Sequence, residues 1–283
     1  MKVRFCGVRG STPAPGTEFT RVGGHTSCLA ISPSSSTVPT LVLDAGTGIR
    51  DATALLAGRA FHGTIALTHL HWDHVQGLPF FAAGDRPDAR VRLLLPAPGA
   101  DPVGLLARTM SPPHFPIDPD GLDGEWSIEA LIEGTTLLDG LRLTAAEVPH
   151  KGGTTVGLRV EEGRRSVVYV PDHLLVDARP TGAVVELVQG ADLLVHDAQF
   201  SSDEREVALR FGHSTIDAAA ALAKRCGVGE LVLFHHAPAR TDDQVEALVD
   251  HVRAANPGTR ISAARQGEER DLGATGARAA TVA

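Results

Sequence analysis

The sequence predicts an α/β fold, a four-layer αββα sandwich in which two mixed β-sheets pack face to face and helices cover their outer surfaces. Two observations carry this reading. The first half is a series of short apolar segments bounded by turn residues, and the second half alternates such segments with helix-length stretches. No internal repeat or linker divides the 283 residues, so the chain reads as one domain over 1–283, with a small, polar tail expected to fray over about 273–283.

The elements follow in order. Val3–Val8, Ser27–Ser32 and Val38–Leu43 read as strands, the last running into Asp44. Ala45, Gly46, Thr47 and Gly48 make a tight turn, and a helix is expected from Ile49 to Leu56. Thr64–Thr68 and Val91–Leu95 are strands, followed by a helix over Pro102–Thr109. Pro112, Pro113, Pro116 and Pro119 exclude regular structure across 111–120, which reads as a surface lid or contact loop. Strands return at Leu141–Val148, Thr154–Glu161 and Ser166–Val170. A helix over Gly182–Gln189, a strand at Leu193–His196, a helix over Ser214–Arg225 capped by Ser214, a strand at Glu230–Phe234 and a helix over Asp242–Ala255 complete the pattern.

Composition narrows the function. Apolar residues make up 43% and aromatics only 4%, so aliphatic side chains must fill a large core. The net charge of −8, from 26 basic and 34 acidic residues, argues against extended nucleic acid as a partner. It leaves room for a small phosphate-bearing substrate, because a bound divalent cation inverts the field locally. Cys6, Cys28 and Cys226 are widely spaced and form no C-x-x-C, which suits free thiols in a reducing compartment. The N-terminus reads as a strand, not a signal peptide, and no stretch approaches the roughly 18 apolar residues of a membrane helix. A cytoplasmic protein with no membrane partner is expected.

The chemistry concentrates at Thr68-His69-Leu70-His71-Trp72-Asp73-His74. Directly after an apolar strand, His69 and His71 fall on one side of an extended segment, and the following turn can aim Asp73 and His74 at the same point. Imidazole and carboxylate together suit zinc and other divalent metals. Further candidates also sit just past apolar strands: His150, Asp172, and either His235 or His236. His235 is favoured because it follows its strand immediately, as His69 does, which leaves His236 either supporting a ligand or facing the substrate. Asp44 is placed to orient a ligand ring by hydrogen bonding, and His196, at another strand end, either does the same or is structural. Gly152, Gly153 and Thr154 follow His150, where backbone N–H groups could meet phosphate oxygens. Gly212, His213 and Ser214 form a further polar triplet before a helix, and His25 and His173 stand beside other motif residues.

Together, Asp44-x-Gly46-x-Gly48, the His69–His74 motif, His150, Asp172, Gly212-His213-Ser214 and His235 resemble the metallo-β-lactamase superfamily over nearly the whole chain. The resemblance is to its branch containing ribonuclease Z and small cyclic-nucleotide phosphodiesterases. It implies two divalent metals, Zn²⁺ first with Mn²⁺ or Fe²⁺ as other occupants. His69, His71 and His150 would bind one metal, Asp73, His74 and His235 the other, with Asp172 bridging. The metals would share a water or hydroxide that attacks the phosphorus, with Asp73 and His213 as catalytic groups, His213 protonating the leaving oxygen or stabilising the transition state. A homodimer is implied in the same way. Lys151 departs from the family pattern, where proline is frequent. The long flexible arm by which ribonuclease Z grips tRNA has no counterpart here. The expected activity is therefore a metal-dependent phosphodiesterase acting on a small, cyclic-nucleotide-like substrate. A lactone, thioester or β-lactam hydrolase, or a ribonuclease Z-like endonuclease, is the alternative.

Overall fold

Side chains of a strand alternate between faces, and here the alternation separates two apolar layers. In β1 (Lys2–Gly7), β2 (Cys28–Ser32), β3 (Leu41–Leu43) and β5 (Arg90–Leu95), the residues Phe5, Leu29, Ile31, Leu41, Leu43 and Leu94 point to one side. Cys6, Cys28, Ala30, Val42, Leu93 and Leu95 point to the other. The first set meets Leu143, Leu158, Val160 and Tyr169 of a second sheet, and the second set packs against helix α1 (Ile49–Ala54) through Ile49 and Ala52. Each fully buried aliphatic side chain of this kind contributes about 1.5–3 kcal/mol relative to exposure. Both faces of the first sheet are therefore covered, as the sandwich requires.

The computed structural model describes residues 1–175 and 179–273. Its first sheet adds β4 (His62–Ala66), β6 (Glu125–Ala130) and β14 (Glu269–Asp271), in the order β14-β1-β2-β3-β4-β5-β6. The second contains β7 (Gly134–Leu138), β8 (Leu141–Glu147), β9 (Val156–Glu162), β10 (Arg165–Val170), β11 (Leu193–Asp197), β12 (Glu230–Phe234) and β13 (Ile261–Ala263), in the order β13-β12-β11-β10-β9-β8-β7. The two sheets share one pattern. β14 through β3 pair antiparallel and β3 through β6 parallel. Likewise β7 through β10 pair antiparallel and β10 through β13 parallel. The carboxyl ends of parallel strands are where α/β sheets open a crevice for ligands. β3, β4, β10, β11 and β12 all end there.

Helices α2 (Trp72–Val75), α3 (Pro102–Ala107), α4 (Gly182–Val188), α5 (Arg205–Phe211), α6 (Ile216–Arg225) and α7 (Asp242–Ala255) fill the connections. Thr241 and Gln244 close a capping box at the start of α7, satisfying amide groups that have no partner within the helix. The Arg9 guanidinium is fully buried near that end, donating to the carbonyls of Gly23 and Arg240 and pairing with Asp242 at 3.4 Å.

Three sequence expectations need correction. β6, β7, β13 and β14 were not anticipated, and α5 was not either. Ser214 does not cap α6: Thr215 does, accepting from the Ala218 amide, while Ser214 Oγ donates to the His173 carbonyl at 2.5 Å. The proline-rich stretch is not wholly irregular, since Pro119–Gly121 closes a 3-10 turn. The tail expected to fray lies, beyond Gly273, outside the described residues.

Candidate metal centre

Strand ends bring the motif residues together. Beyond β4 the chain stays extended through His69 to His71, which caps the single turn of α2 carrying Asp73 and His74. His150 follows β8, Asp172 follows β10 and His235 follows β12 directly. Asp172 stands at the middle. Its Oδ2 lies 3.5 Å from His69 Nε2 and 3.3 Å from His150 Nε2, and its Oδ1 lies 3.3 Å from His74 Nε2 and 3.1 Å from His235 Nε2. Asp73 Oδ2 is 3.2 Å from His74 Nε2 and 3.0 Å from His235 Nε2. His71 turns Nδ1 inward, 3.4 Å from His150 Nε2. The donor atoms form three overlapping groups, His69, His71, His150 and Asp172, then Asp73, His74 and His235, and then Asp172, His213 and His235, each within 4.8 Å.

The outer nitrogens explain why the inner ones converge. Each is tied to a fixed acceptor: His74 Nδ1 to Asp44 at 2.7 Å, His150 Nδ1 to the Gly212 carbonyl at 2.6 Å, and His235 Nδ1 to Gln199 Oε1 at 3.0 Å. Thr68 Oγ1 donates to Asp44, so it accepts from His69 Nδ1 at 3.1 Å. With the outer nitrogen donating, each Nε2 presents a lone pair to the centre. Asp44 also accepts from the Thr68 amide at 2.7 Å and from the hydroxyl of Tyr169, the chain's one tyrosine, at 2.9 Å.

Charge and protonation fit a divalent cation. Burial lowers the pKa of His69 and of His150 to about 4, leaving neutral imidazoles. Burial opposes ionisation of Asp172 and Asp73, yet the surrounding imidazoles, His235 and His74 foremost, hold both below the usual carboxylate range. Asp172 Oδ1 and His69 Nε2 are buried and make no hydrogen bond. Burial opposes protonation of His74 as well, yet Asp73, Asp172 and Asp44 push it well above the usual imidazole range. Imidazoles packed around two buried carboxylates, with Asp172 Oδ1 and His69 Nε2 lacking a hydrogen-bond partner, form a donor set for cations and not a self-satisfied core network.

The backbone is held in costly shapes around this centre. Ser11, Asp44 and His235 have φ of 64°, 58° and 57°, a left-handed conformation costing on the order of 1–3 kcal/mol each. Ser11 thereby directs its amide to Asp73 Oδ2 at 2.7 Å. Gly10 passes so close to His235 that a Cβ there would sit 2.4 Å from the ring.

His213 lies beside the first two groups and belongs to the third. Its ring centroid is 5.1 Å from that of His150 and 5.3 Å from that of His235, and Nδ1 donates to Asp197 Oδ2 at 2.9 Å. Burial lowers its pKa, but Asp197 more than offsets this and lifts it to about 9. Asp197 also accepts from the amides of His173, Gln199 and Ser214.

Several expected positions fall elsewhere. His236 does not face the centre: it is buried, with Nε2 against the Ala264 carbonyl at 3.2 Å. His196 orients no ligand ring. It pairs with His173 Nδ1 at 2.9 Å and with the Asp197 carbonyl, and its neighbour Asp197 does the orienting for His213. His25 bonds Thr47 instead. Lys151 donates to the Arg210 carbonyl at 2.6 Å, tying the His150 loop to the end of α5. Gly152, Gly153 and Thr154 do line a cavity of about 520 Å³ together with His69 and His71. Ser11, Tyr169, Asp197 and Gln199 went unread in these roles. Only Asp197, at a strand end beside His196, carried a sequence signal.

A family model described as the beta-lactamase superfamily domain matches residues 40–236, most of the chain. Ribonuclease Z of Lacticaseibacillus casei (strain BL23) is 28% identical over 305 aligned residues, covering 92% of each chain. Among solved structures, the metallo-beta-lactamase fold protein YhfI from Bacillus subtilis superposes with a TM-score of 0.73 at 18% identity, over 95% of this chain and 99% of that one. A diphosphatase from the PhnP family gives 0.67 at 16% identity, over 96% and 97%. At these identities the structural likeness is one of fold, and the fold is that of the metallo-beta-lactamase proteins.

Proposed function

The chain belongs to the beta-lactamase superfamily, and on that premise we propose that it is a metal-dependent phosphodiesterase acting on a small, cyclic-nucleotide-like phosphodiester. The observation that carries the reading is His213, held by Asp197 against the edge of the histidine–carboxylate cluster. A phosphodiester needs a proton at its leaving alkoxide, which is strongly basic, and a protonated imidazole beside the reacting centre supplies one.

His69, His71 and His150 would hold one divalent ion, Asp73, His74 and His235 a second, with Asp172 shared between them. Zn²⁺ suits the imidazole-rich set, and Mn²⁺ or Fe²⁺ are the other candidates. When bound, two such ions neutralise charge on the phosphoryl oxygens and make water a stronger nucleophile. Asp73, fixed through Oδ2 by the Ser11 amide, is placed to orient the attacking water through its other oxygen. Asp197 fixes the tautomer of His213 and favours its protonated form, so that the ring's remaining N–H reaches the leaving oxygen. The amides of Gly152 and Gly153, in the cavity beside His69 and His71, are available to the phosphate. A homodimer and a cytoplasmic setting belong to the same reading. Among the described residues no helix is long and apolar enough to cross a membrane.

The test is hydrolysis of 2′,3′- and 3′,5′-cyclic nucleotides by protein loaded separately with Zn²⁺ and Mn²⁺. Turnover is expected, and His213→Ala should lower kcat for an alkoxide leaving group by roughly 10²–10⁴ while keeping its metal. Cleavage of a bis-aryl phosphodiester, whose leaving group needs no proton, should fall far less. Fully metal-loaded protein that leaves every phosphodiester intact would sink the reading in favour of lactone or thioester substrates. A ribonuclease Z-like activity on RNA is the second reading, favoured by the Lacticaseibacillus casei relative. The net charge of −8 weighs against it, and precursor tRNA assayed beside cyclic nucleotides separates the two.

A further inference from the structure

A second cavity, of about 440 Å³, adjoins the one beside His69 and His71. The two meet at Arg108 and Thr109, which line both. The walls of the second cavity are aromatic: Trp72 and Phe80 are 75% and 57% exposed, and Phe115 meets Phe80 at right angles, with ring centroids 5.9 Å apart. A contiguous exposed apolar patch of this kind, lining a concave surface, is a mark of ligand-binding grooves and contact sites. Trp72 lies between the ligand candidates His71 and Asp73 in sequence, so its position is set by the metal centre itself.

Charge points the same way. The chain carries 34 acidic residues, yet no carboxylate is among the residues lining either cavity. The Arg108 side chain is exposed and makes no ion pair or hydrogen bond among the described residues, so its guanidinium is available to a ligand. The two cavities, meeting at Arg108 and Thr109, thus offer in turn the candidate metal centre, an unpaired guanidinium and an aromatic wall. Few ligand classes present a phosphate and a flat, π-rich ring at opposite ends of one small molecule.

We propose that this second cavity is a base-binding subsite, and that the substrate is a nucleotide whose nucleobase stacks against Trp72 and Phe80 while Arg108 contacts its anionic portion. This deepens the phosphodiesterase reading and rests on it. Base–aromatic stacking tolerates any nucleobase, since each has a π-face, so the subsite selects for the presence of a base more than for its identity.

The experiment compares wild type, Phe80→Ala and Arg108→Ala, each loaded with metal and checked by thermal melting. One arm measures kcat/KM for a 2′,3′-cyclic nucleotide against the base-free ribose 2,3-cyclic phosphate. The other measures binding of a nucleoside monophosphate by quenching of Trp72 fluorescence. Wild type should prefer the nucleotide by at least about tenfold, and should be quenched, in keeping with stacking free energies. Phe80→Ala should erase most of the preference by raising KM, leaving the base-free compound unaffected. Arg108→Ala should weaken both the monophosphate and the cyclic nucleotide. If both cyclic phosphates turn over equally and no quenching occurs, the subsite falls and the phosphodiesterase reading stands. If the monophosphate binds but nothing is hydrolysed, the phosphodiesterase reading falls and a nucleotide site remains. A Phe80→Ala variant that changes only from dimer to monomer, with kinetics unaltered, overturns the proposal and makes this face a contact between copies of the chain.

Discussion

The two halves of the metal centre are built differently. The half containing His71 and His150 is only partly buried and borders the cavity, and its outer contacts are neutral: a threonine hydroxyl on His69 and a backbone carbonyl on His150. The half containing Asp73, His74 and His235 is wholly buried, and the carboxylate of Asp44 holds His74. Carboxylate partners raise the basicity of a ligating imidazole more than neutral ones do. On the proposed two-ion reading the difference would give the halves distinct tasks: the inner half would retain its ion and the outer half would meet substrate.

That contrast can be broken or sharpened by experiment. The largest effect is expected from Asp172→Asn, because the Asp172 carboxylate reaches donor atoms of both halves, Oδ2 towards His69 and His150 and Oδ1 towards His74 and His235. Both ions should be lost under dialysis, with activity falling by more than the roughly 100-fold that loss of an outer partner costs; metal analysis reads this directly. Asp44→Asn should act chiefly on the inner half, since Asp44 holds His74 directly and reaches His69 only through the Thr68 hydroxyl. Affinity for the inner ion should drop by roughly 10–100-fold, measured by competition with a chromogenic chelator, and affinity for the outer ion should fall much less. Equal loss of both ions would erase the distinction between the halves. Wild-type protein treated with a chelator should release metal in two phases, the faster belonging to the solvent-facing half, and a single phase would contradict the burial argument. The smallest effect is expected from Gly152→Ala. Gly152 has φ 94°, and a Cβ there would lie 2.8 Å from His71 Nε2. The substitution should cost about 1–2 kcal/mol of stability, read by thermal melting, and should weaken the outer ion without altering the inner one.

How far the sequence was legible depends on burial. The ten inner strands all announced themselves as apolar runs, whereas β6, β7, β13 and β14, which were missed, are the four edges of the two sheets. An edge strand pairs on one side only and needs little buried surface. β14 has no buried residue, and β7 has one among threonines and exposed positions. Charged residues such as Glu125, Glu269 and Asp271 also suit an edge, where they discourage pairing with another chain. The missing pattern is therefore a consequence of location. Helix α5 was obscured in a related way, since Ala208 is its one buried side chain.

The metal centre shows the same division. His69, His71, Asp73 and His74 crowd into one short motif, and His150, Asp172 and His235 each follow a strand, so chemistry and periodicity were enough to nominate them. Strand ends are visible in sequence because the apolar run stops where the polar ligand begins. Which partner orients which ring was decided by tertiary structure alone. Asp44 reaches His74 across 30 positions, Gln199 reaches His235 across 36, and Tyr169 reaches Asp44 across 125. Hydrogen bonds of that span follow from the register between strands and the stacking of two sheets, neither of which is written in any local pattern. The choice of His235 over His236 agrees with this division: an immediate strand end nominated it, and a left-handed backbone turned its ring toward Asp73. The sequence by itself determined the layers and nominated the histidines and carboxylates that gather at the candidate centre. Only packing decided the tautomers, the buried half and the cavity, because these depend on distances between residues far apart along the chain.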